Sequence, residues 1–314
     1  EIKVPAGVPA APDLKWEEFF ADENLRKVIA AALNNNRDLK LAALNVEHAR
    51  ALYGIQRAEL FPAVDITGTG IRQRIPAELS NSGSATTYQE DSINLGISSW
   101  EIDFFGRIRS LKDRALEEYL ATEQAGRSAR LLIITAVANA YLTLAADREN
   151  LKLAESTLET QSNIYHLIKR RYEVGLASEL DLRRAQSQVD AARADVARYT
   201  QQTALDENAL NLLVGSPAPP ELLPRELGKS AALKEISAGA SSDVLLRRPD
   251  ILAAEHRLKA FNANIGAARA AFFPRIALTT SVGTASSSLS GLFKSGSYVW
   301  NFTRPTMPRR WKEK

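Results

Sequence analysis

The sequence predicts a mainly α chain carrying β-hairpins, built from a duplicated module of helix, β-hairpin and long helical hairpin whose second copy is incomplete. Three observations predict it. Residues 36–62, NRDLKLAALNVEHARALYGIQRAELFP, recur as RPDILAAEHRLKAFNANIGAARAAFFP at 248–274, with a constant offset of 212 and no gap from Leu33/Leu245 to Thr67/Thr279. Identities fall at Asp38/Asp250, Ala42/Ala254, Ala51/Ala263, Gly54/Gly266, Arg57/Arg269, Ala58/Ala270, Phe61/Phe273 and Pro62/Pro274. That period is too long for a solenoid unit and suits two copies of a multi-element module. Each copy then passes through Phe-Pro into alternating residues. Finally, Arg107 to Tyr172 holds no proline and a single glycine, Gly126.

Composition narrows the possibilities. Of 314 residues, 45% are hydrophobic, 25% charged and only 7% aromatic, which suits long helices packed through small side chains. The formal charge of +3 is mild and the basic residues are mixed with acidic ones, which argues against nucleic acid as a partner. No cysteine is present, which excludes disulfides and thiolate metal sites. His48, His166 and His256 lie far apart without partners at ligand spacing, so they read as surface or packing residues; no metal or cofactor is expected. The opening EIKVPAGVPAAP is not a signal peptide, which fits a cytosolic protein or a trimmed mature form. The uncharged run LLIITAVANAYLTLAA, 131–146, is shorter than the roughly 20 apolar residues of a spanning helix and reads as a buried stretch of a longer one.

In chain order, the first repeat covers 1–220. It comprises an N-terminal arm (1–22), a helix (23–61), a β-hairpin (62–106) and a long helical hairpin (107–214). Proline at Pro62 lacks an amide hydrogen and disfavours helix in the residue before it, so the helix ends there. Val64 and Ile66 then oppose Asp65, Thr67 and Thr69; beyond a polar loop, Ile93, Leu95 and Ile97 oppose Asn94, Gly96 and Ser98. This hairpin has one apolar and one polar face. The first long helix, roughly 100 Å at 1.5 Å per residue, repeats Leu144, Leu151, Leu158, Tyr165 and Tyr172 every seven positions, with a second apolar row at Leu153, Leu167 and Val174. After a turn at YEVGLASELD, Leu182, Ala185, Val189, Ala192, Val196, Tyr199, Thr203, Leu210 and Leu213 keep coiled-coil spacing, breached once by Asp206. LLVGSPAPPELLP stops the helix. Two packing faces on one helix suggest a ring of helices; an antiparallel coiled coil is the alternative.

A linker (221–242) leads to the incomplete second repeat (243–314): a helix (248–273), a partial β-hairpin (274–303) and an atypical tail (304–314). In the hairpin, Ile276, Leu278 and Val282 oppose Ala277, Thr279, Ser281 and Gly283. The tail, with Pro305, Pro308 and three arginines, makes a poor strand. A full second copy would run well past residue 314, so the expectation is a truncated or frameshifted product lacking the second long helical hairpin and its last strand.

The doubled Phe-Pro junction, the series Trp16, Phe19, Asp22, Leu25 leading into NRDLKLA, then WEIDFFGR and RYEVGLASELDL in that order, resemble the TolC-like outer-membrane efflux proteins. The resemblance is closest to the RND-type efflux outer-membrane lipoproteins, the NodT-like branch, and RPDILAAEHRLKAFNANIGAARAAFFP is its most specific part. It covers the chain to about Phe302. It implies a homotrimer with membrane β-hairpins, four strands per chain, forming a twelve-stranded β-barrel in outer-membrane lipid, continuous with an α-helical tunnel across the periplasm. The implied localisation is the bacterial outer membrane with a periplasmic extension. Two-faced hairpins suit a barrel with lipid outside and a wet lumen inside, but only a closed one. The branch's acylated cysteine is absent from the sequence, which fits a trimmed form.

The implied function is conduction of small toxic molecules (drugs, organic compounds or metal ions) in a tripartite pump with a periplasmic adaptor (membrane-fusion) protein and an inner-membrane RND-type pump. No carboxylate pair, activated nucleophile or phosphate-cradling loop stands out, so no enzyme is expected. By resemblance the adaptor docks at Gly175, Leu176 and Ser178, although Gly175 also reads as a left-handed helix cap and Ser178 as the next helix's N-cap. Asp181, with Tyr172 and Arg171, matches the family's periplasmic gate; as a first-turn residue Asp181 also complements the helix dipole. Lys169, Arg170, Arg171, Arg183 and Arg184 form a basic collar beside it. Two other readings stand beside the channel: a soluble coiled-coil scaffold protein, and the outer-membrane exit duct of a type I protein secretion system.

Overall fold

The computed structural model describes residues 15–80, 83–230 and 242–303. Its helices are α1 (Trp16–Phe19), α2 (Glu23–Asn35), α3 (Arg37–Ala58), α4 (Arg107–Glu173), α5 (Glu179–Val214), α6 (Leu227–Ser230) and α7 (Pro249–Ala270). Its strands are β1 (Val64–Ile75), β2 (Thr86–Glu101), β3 (Ala277–Ser286) and β4 (Tyr298–Thr303). Residues 1–14 of the arm, 231–241 of the linker and the tail 304–314 lie outside the described residues. The rest of the linker is not plain coil, since it carries a helical turn at Pro220–Leu222, α6 and a turn from Ser242. The chain divides into two compact units, Glu1–Val46 with Thr122–Ala253 and Glu47–Ala121 with Ala254–Lys314.

The first unit holds the hydrophobic core. Leu25, Val28, Ile29 and Ala32 of α2 pack with Ile134, Val137, Ala138, Tyr141 and Leu144 of α4 and Leu210 and Val214 of α5. The uncharged run 131–146 is thus the core stretch of a longer helix, each buried Leu or Val contributing roughly 1.5–3 kcal/mol. Tyr141 is 1% exposed and donates its hydroxyl hydrogen to the Leu222 carbonyl at 3.1 Å. Asp22 starts α2 by accepting from the Asn24 and Leu25 N–H groups.

One expected element is divided. The helix predicted over 23–61 is two helices broken at Asn36, whose ψ of 132° is not helical. Asn36 is 2% exposed; its side-chain oxygen accepts from Leu39 N–H at 3.0 Å and its amide donates to Leu213 O at 2.7 Å. It caps α3 and ties the break to the end of α5. Beside it Gly215 ends α5 at φ 80°, where a Cβ would come within 2.7 Å of Asn35 O. Only glycine fits there.

The α4–α5 seam follows the heptad reading. Ala185, Val189, Ala192, Thr203 and Leu210 are buried, while the second row of α4, Leu153, Leu167 and Val174, stays 60–69% exposed.

In the second unit the four strands form one antiparallel sheet in the order β1-β2-β3-β4. The pairing of β2 with β3 joins the hairpins of the two sequence copies. Both strands of the second hairpin form, although β4 spans only six residues.

Candidate functional sites: a two-faced sheet and a helical tip

Register assigns every strand residue to a face. Row by row, Val64, Ile97, Thr280 and Phe302 share one face, then Ile66, Leu95, Val282 and Trp300, then Gly68, Ile93, Thr284 and Tyr298. The intervening residues, on the other face, are mostly polar or small, Asp65, Thr67 and Thr69, Ser92, Asn94 and Gly96, Ser281, Gly283 and Ala285, and Asn301, with Val299 the one large apolar side chain among them. A Cβ on Gly283 would sit 2.1 Å from Ile93 O, so glycine is what lets β2 and β3 approach there.

The faces are kept in phase by a bulge. Register shifts between Ile97 and Trp100, with Ser99 at φ 61°, a conformation costing a non-glycine residue roughly 1 kcal/mol. The extra residue pairs Trp100 with Leu278, which lies on the apolar face, and puts Glu101 opposite Ala277 on the polar one. Glu101 can then accept two hydrogen bonds from Arg107, at 2.9 and 2.6 Å, in the first turn of α4. Asp103 accepts from the Ile108 and Arg109 N–H groups, capping α4. Partial burial opposes its ionisation, but these bonds and Arg109 hold its carboxyl below the usual range. Phe105 stacks on Phe273 at 4.5 Å between ring centroids. WEIDFFGR is therefore a strand-to-helix clamp. Sequence reasoning used it only as a family signature; the signal available was an acid six residues before an arginine at a strand-to-helix step.

At the hairpin tip, Gly175 has φ 77°, its N–H donates to Tyr172 O at 2.9 Å, and Leu176 N–H donates to Arg171 O at 2.7 Å. These two bonds make a Schellman cap. Ser178 and Asp181 form a reciprocal capping box: Asp181 N–H donates to Ser178 Oγ at 3.1 Å and Ser178 N–H to Asp181 Oδ2 at 3.2 Å. Ser178 Oγ also donates to Asp181 Oδ2 at 2.6 Å. The hydrogen bond from the Ser178 side chain, then that from its backbone, holds the Asp181 carboxyl below its ordinary range, helped by the charges of Arg184 and Arg171.

Arg171 and Asp181 line one groove of about 390 Å³ with Ile164, Ile168, Leu176 and Ala177. Tyr172 is not among the groove's lining residues and contributes its backbone carbonyl to the Schellman cap. Leu176 is 70% exposed. Asp206, the seam breach, faces Asp147 of α4. Burial, then the neighbouring Asp147 carboxyl, pushes its carboxyl up. Gln202 Nε2 donates to its Oδ1 at 3.1 Å, while its Oδ2 finds no donor among the described residues.

The sequence pattern of the family described as outer membrane efflux protein matches residues 28–216 and 240–304. The toluene efflux pump outer membrane protein TtgC of Pseudomonas putida is 49% identical over 294 residues, covering 93% of this chain and 60% of that protein. The chain thus spans about 60% of the length of the curated relatives it matches. A solved membrane protein from Pseudomonas aeruginosa superposes with a TM-score of 0.90 at 42% identity, covering 96% of this chain and 70% of that one. The open state of the Neisseria gonorrhoeae outer membrane channel MtrE superposes at 0.81 with 38% identity, covering 98% of this chain and 71% of that one. The alternating sheet, the long helical hairpin and these matches establish that the chain belongs to the outer membrane efflux protein family.

Proposed function

We propose that this chain builds the outer-membrane channel of a tripartite efflux pump, passing small toxic molecules from periplasm to exterior. The observation that carries the reading is the four-stranded sheet with one apolar and one polar face and with β1 and β4 each paired on a single side. Unpaired edges in lipid cost several kcal/mol per orphaned backbone group, so such a sheet needs closure. Three copies supply twelve strands, with the apolar face toward lipid and the polar face toward water. The α4–α5 hairpin extends into the periplasm as tunnel wall. Its tip, Gly175, Leu176 and Ser178, docks the adaptor protein that links the channel to an inner-membrane RND-type pump. Asp181 with Arg171, and Tyr172 beside them, closes the periplasmic end. The toluene pump relative supports a cargo of small apolar compounds.

The experiment is complementation in a strain deleted for its own channel. Expression of the native gene should restore solvent and antibiotic tolerance without restoring export of a secreted protein. Leu176→Glu should abolish tolerance while SDS-resistant trimers persist. A monodisperse water-soluble monomer, or rescue of protein export alone, would contradict the reading.

A further inference from the structure

The apolar face does not run the length of β1 and β2. Above the row of Gly68, Ile93, Thr284 and Tyr298 comes a row with Gly70, Asp91 and Ser286, then Arg72 paired with Gln89, then Arg74 paired with Thr87. Side chains alternate strictly in a strand, so both arginines emerge from the same face as Ile66, Leu95 and Trp300. At about 3.4 Å per residue, Arg72 lies about 13 Å along β1 from the last apolar row, or about 10 Å in height at a barrel tilt near 40°. That is the level where acyl chains give way to headgroups, and a snorkelling arginine reaches across the remainder.

Both arginines are exposed, and among the described residues neither guanidinium is held by an ion pair. The one acid on that face of the hairpin, Asp91, is half-buried and accepts from Gln89 Nε2 at 3.1 Å. Glu90 points to the opposite face, where it is bonded by the Tyr88 hydroxyl. Two unpaired arginines on adjacent rows, just above an apolar belt, are a poor arrangement for lipid tails and a good one for phosphate, which guanidinium grips with paired hydrogen bonds.

We propose that Arg72 and Arg74 bind the phosphate groups of the glycolipid forming the outer leaflet of a bacterial outer membrane. The proposal rests on the barrel reading above, which places the β1–β2 turn at the outer end. The site fixes the depth of the barrel in the membrane and the lipid annulus around each β1–β2 hairpin.

The test is native mass spectrometry of the assembled protein from detergent supplemented in turn with bisphosphorylated lipid A, phosphatidylglycerol and phosphatidylcholine. Wild-type protein should retain lipid A preferentially. The double variant R72Q/R74Q should retain about tenfold less, as two surface cations near anionic lipid warrant. R72K/R74K should recover part of the loss, and the exposed control R193Q should match wild type. In parallel, phosphatidylcholine with brominated chains should quench the fluorescence of Trp300 equally in wild type and R72Q/R74Q. Quenching with lipid A retention unchanged in R72Q/R74Q would overturn the site and leave the barrel standing. Phosphatidylglycerol retained as strongly as lipid A, with the same arginine dependence, would overturn the glycolipid assignment. No quenching in either protein would overturn the barrel reading and this site with it.

Discussion

Helices α3 and α7 share a signature and bury different faces. In α7 the buried positions are Ala253, Ala260, Ala267 and Ala270, with His256 and Gly266 half-covered against α4. His256 Nδ1 sits 2.6 Å from Glu117 Oε2, Arg114 reaches Asn264 at 3.2 Å, and a Cβ on Gly266 would meet Ser110 Oγ at 2.8 Å. In α3 nothing is fully buried, and the partly covered positions include Ala42, Val46, Ala49 and Tyr53. Tyr53 stacks with Tyr119 of α4, and Val46 lies against Gly126. Shifted by 212, these positions correspond to Ala254, Leu258, Phe261 and Ile265 of α7, of which Leu258, Phe261 and Ile265 are 49–69% exposed. Conversely His256 and Ala267 correspond to Leu44 and Ile55, exposed at 66% and 64%. At 100° per residue the two buried stripes lie on nearly opposite sides of the same helical pattern. The duplicated signature therefore encodes a helix with two packing faces, and each copy leaves open the face that the other uses.

The sharpest break of that comparison is at its shared glycine. Gly266→Leu should destabilise the chain by about 2–3 kcal/mol through overpacking at Ser110. Gly54→Leu, with nothing within 4 Å of its Cβ position, should be neutral or slightly stabilising, because leucine is the better helix former. Urea unfolding followed at 222 nm checks both, and equal losses would refute the two-face account. A smaller effect is expected at the next pair. His256→Ala should cost about 1.5 kcal/mol by removing the partner of half-buried Glu117, whereas Leu44→Ala should leave stability unchanged. Smaller still, Phe273→Ala should lose about 1 kcal/mol with its ring stack on Phe105, and Phe61→Ala close to nothing.

A pH titration supplies a control outside both helices. Because burial and Asp147 raise the Asp206 carboxyl above its unfolded value, its contribution is fully present below the unfolded value and is lost as pH rises through the folded one. The melting temperature of the wild type should therefore rise relative to that of Asp206→Asn as pH falls through the raised carboxyl range toward the ordinary carboxyl value. Gly266→Leu and Gly54→Leu should keep that dependence.

Much of this was legible from periodicity. The α5 seam is legible because its buried positions, Ala185, Val189, Ala192, Thr203 and Leu210, recur on one helical face, and the two faces of β1–β3 follow from strict alternation. The hairpin tip was legible through Gly175 and Ser178, whose capping preferences are local. Three features were not. The break at Asn36 depends on Leu213 O, 177 residues away, inside a segment whose helical pattern continues through it. The bulge at Ser99 has no local signal, since Ser98-Ser99 suits a regular strand as well. Asp206 stood out as a breach, but its partner Asp147 lies on another helix and nothing in the spacing points to it. The tip likewise shows why residue roles are hard to read: the family resemblance proposes a gate role for Asp181, while in the single chain its carboxylate is already engaged by Ser178.

The central claim, that the sheet is a barrel wall with lipid on one face and water on the other, is tested most directly by cysteine scanning of β2, for which the cysteine-free sequence is a ready background. Single cysteines at 92 to 97 in outer membranes should react with a water-soluble, membrane-impermeant thiol reagent at Ser92, Asn94 and Gly96 and stay protected at Ile93, Leu95 and Ile97. Uniform labelling of all six positions, or alternation in the opposite phase, would contradict it.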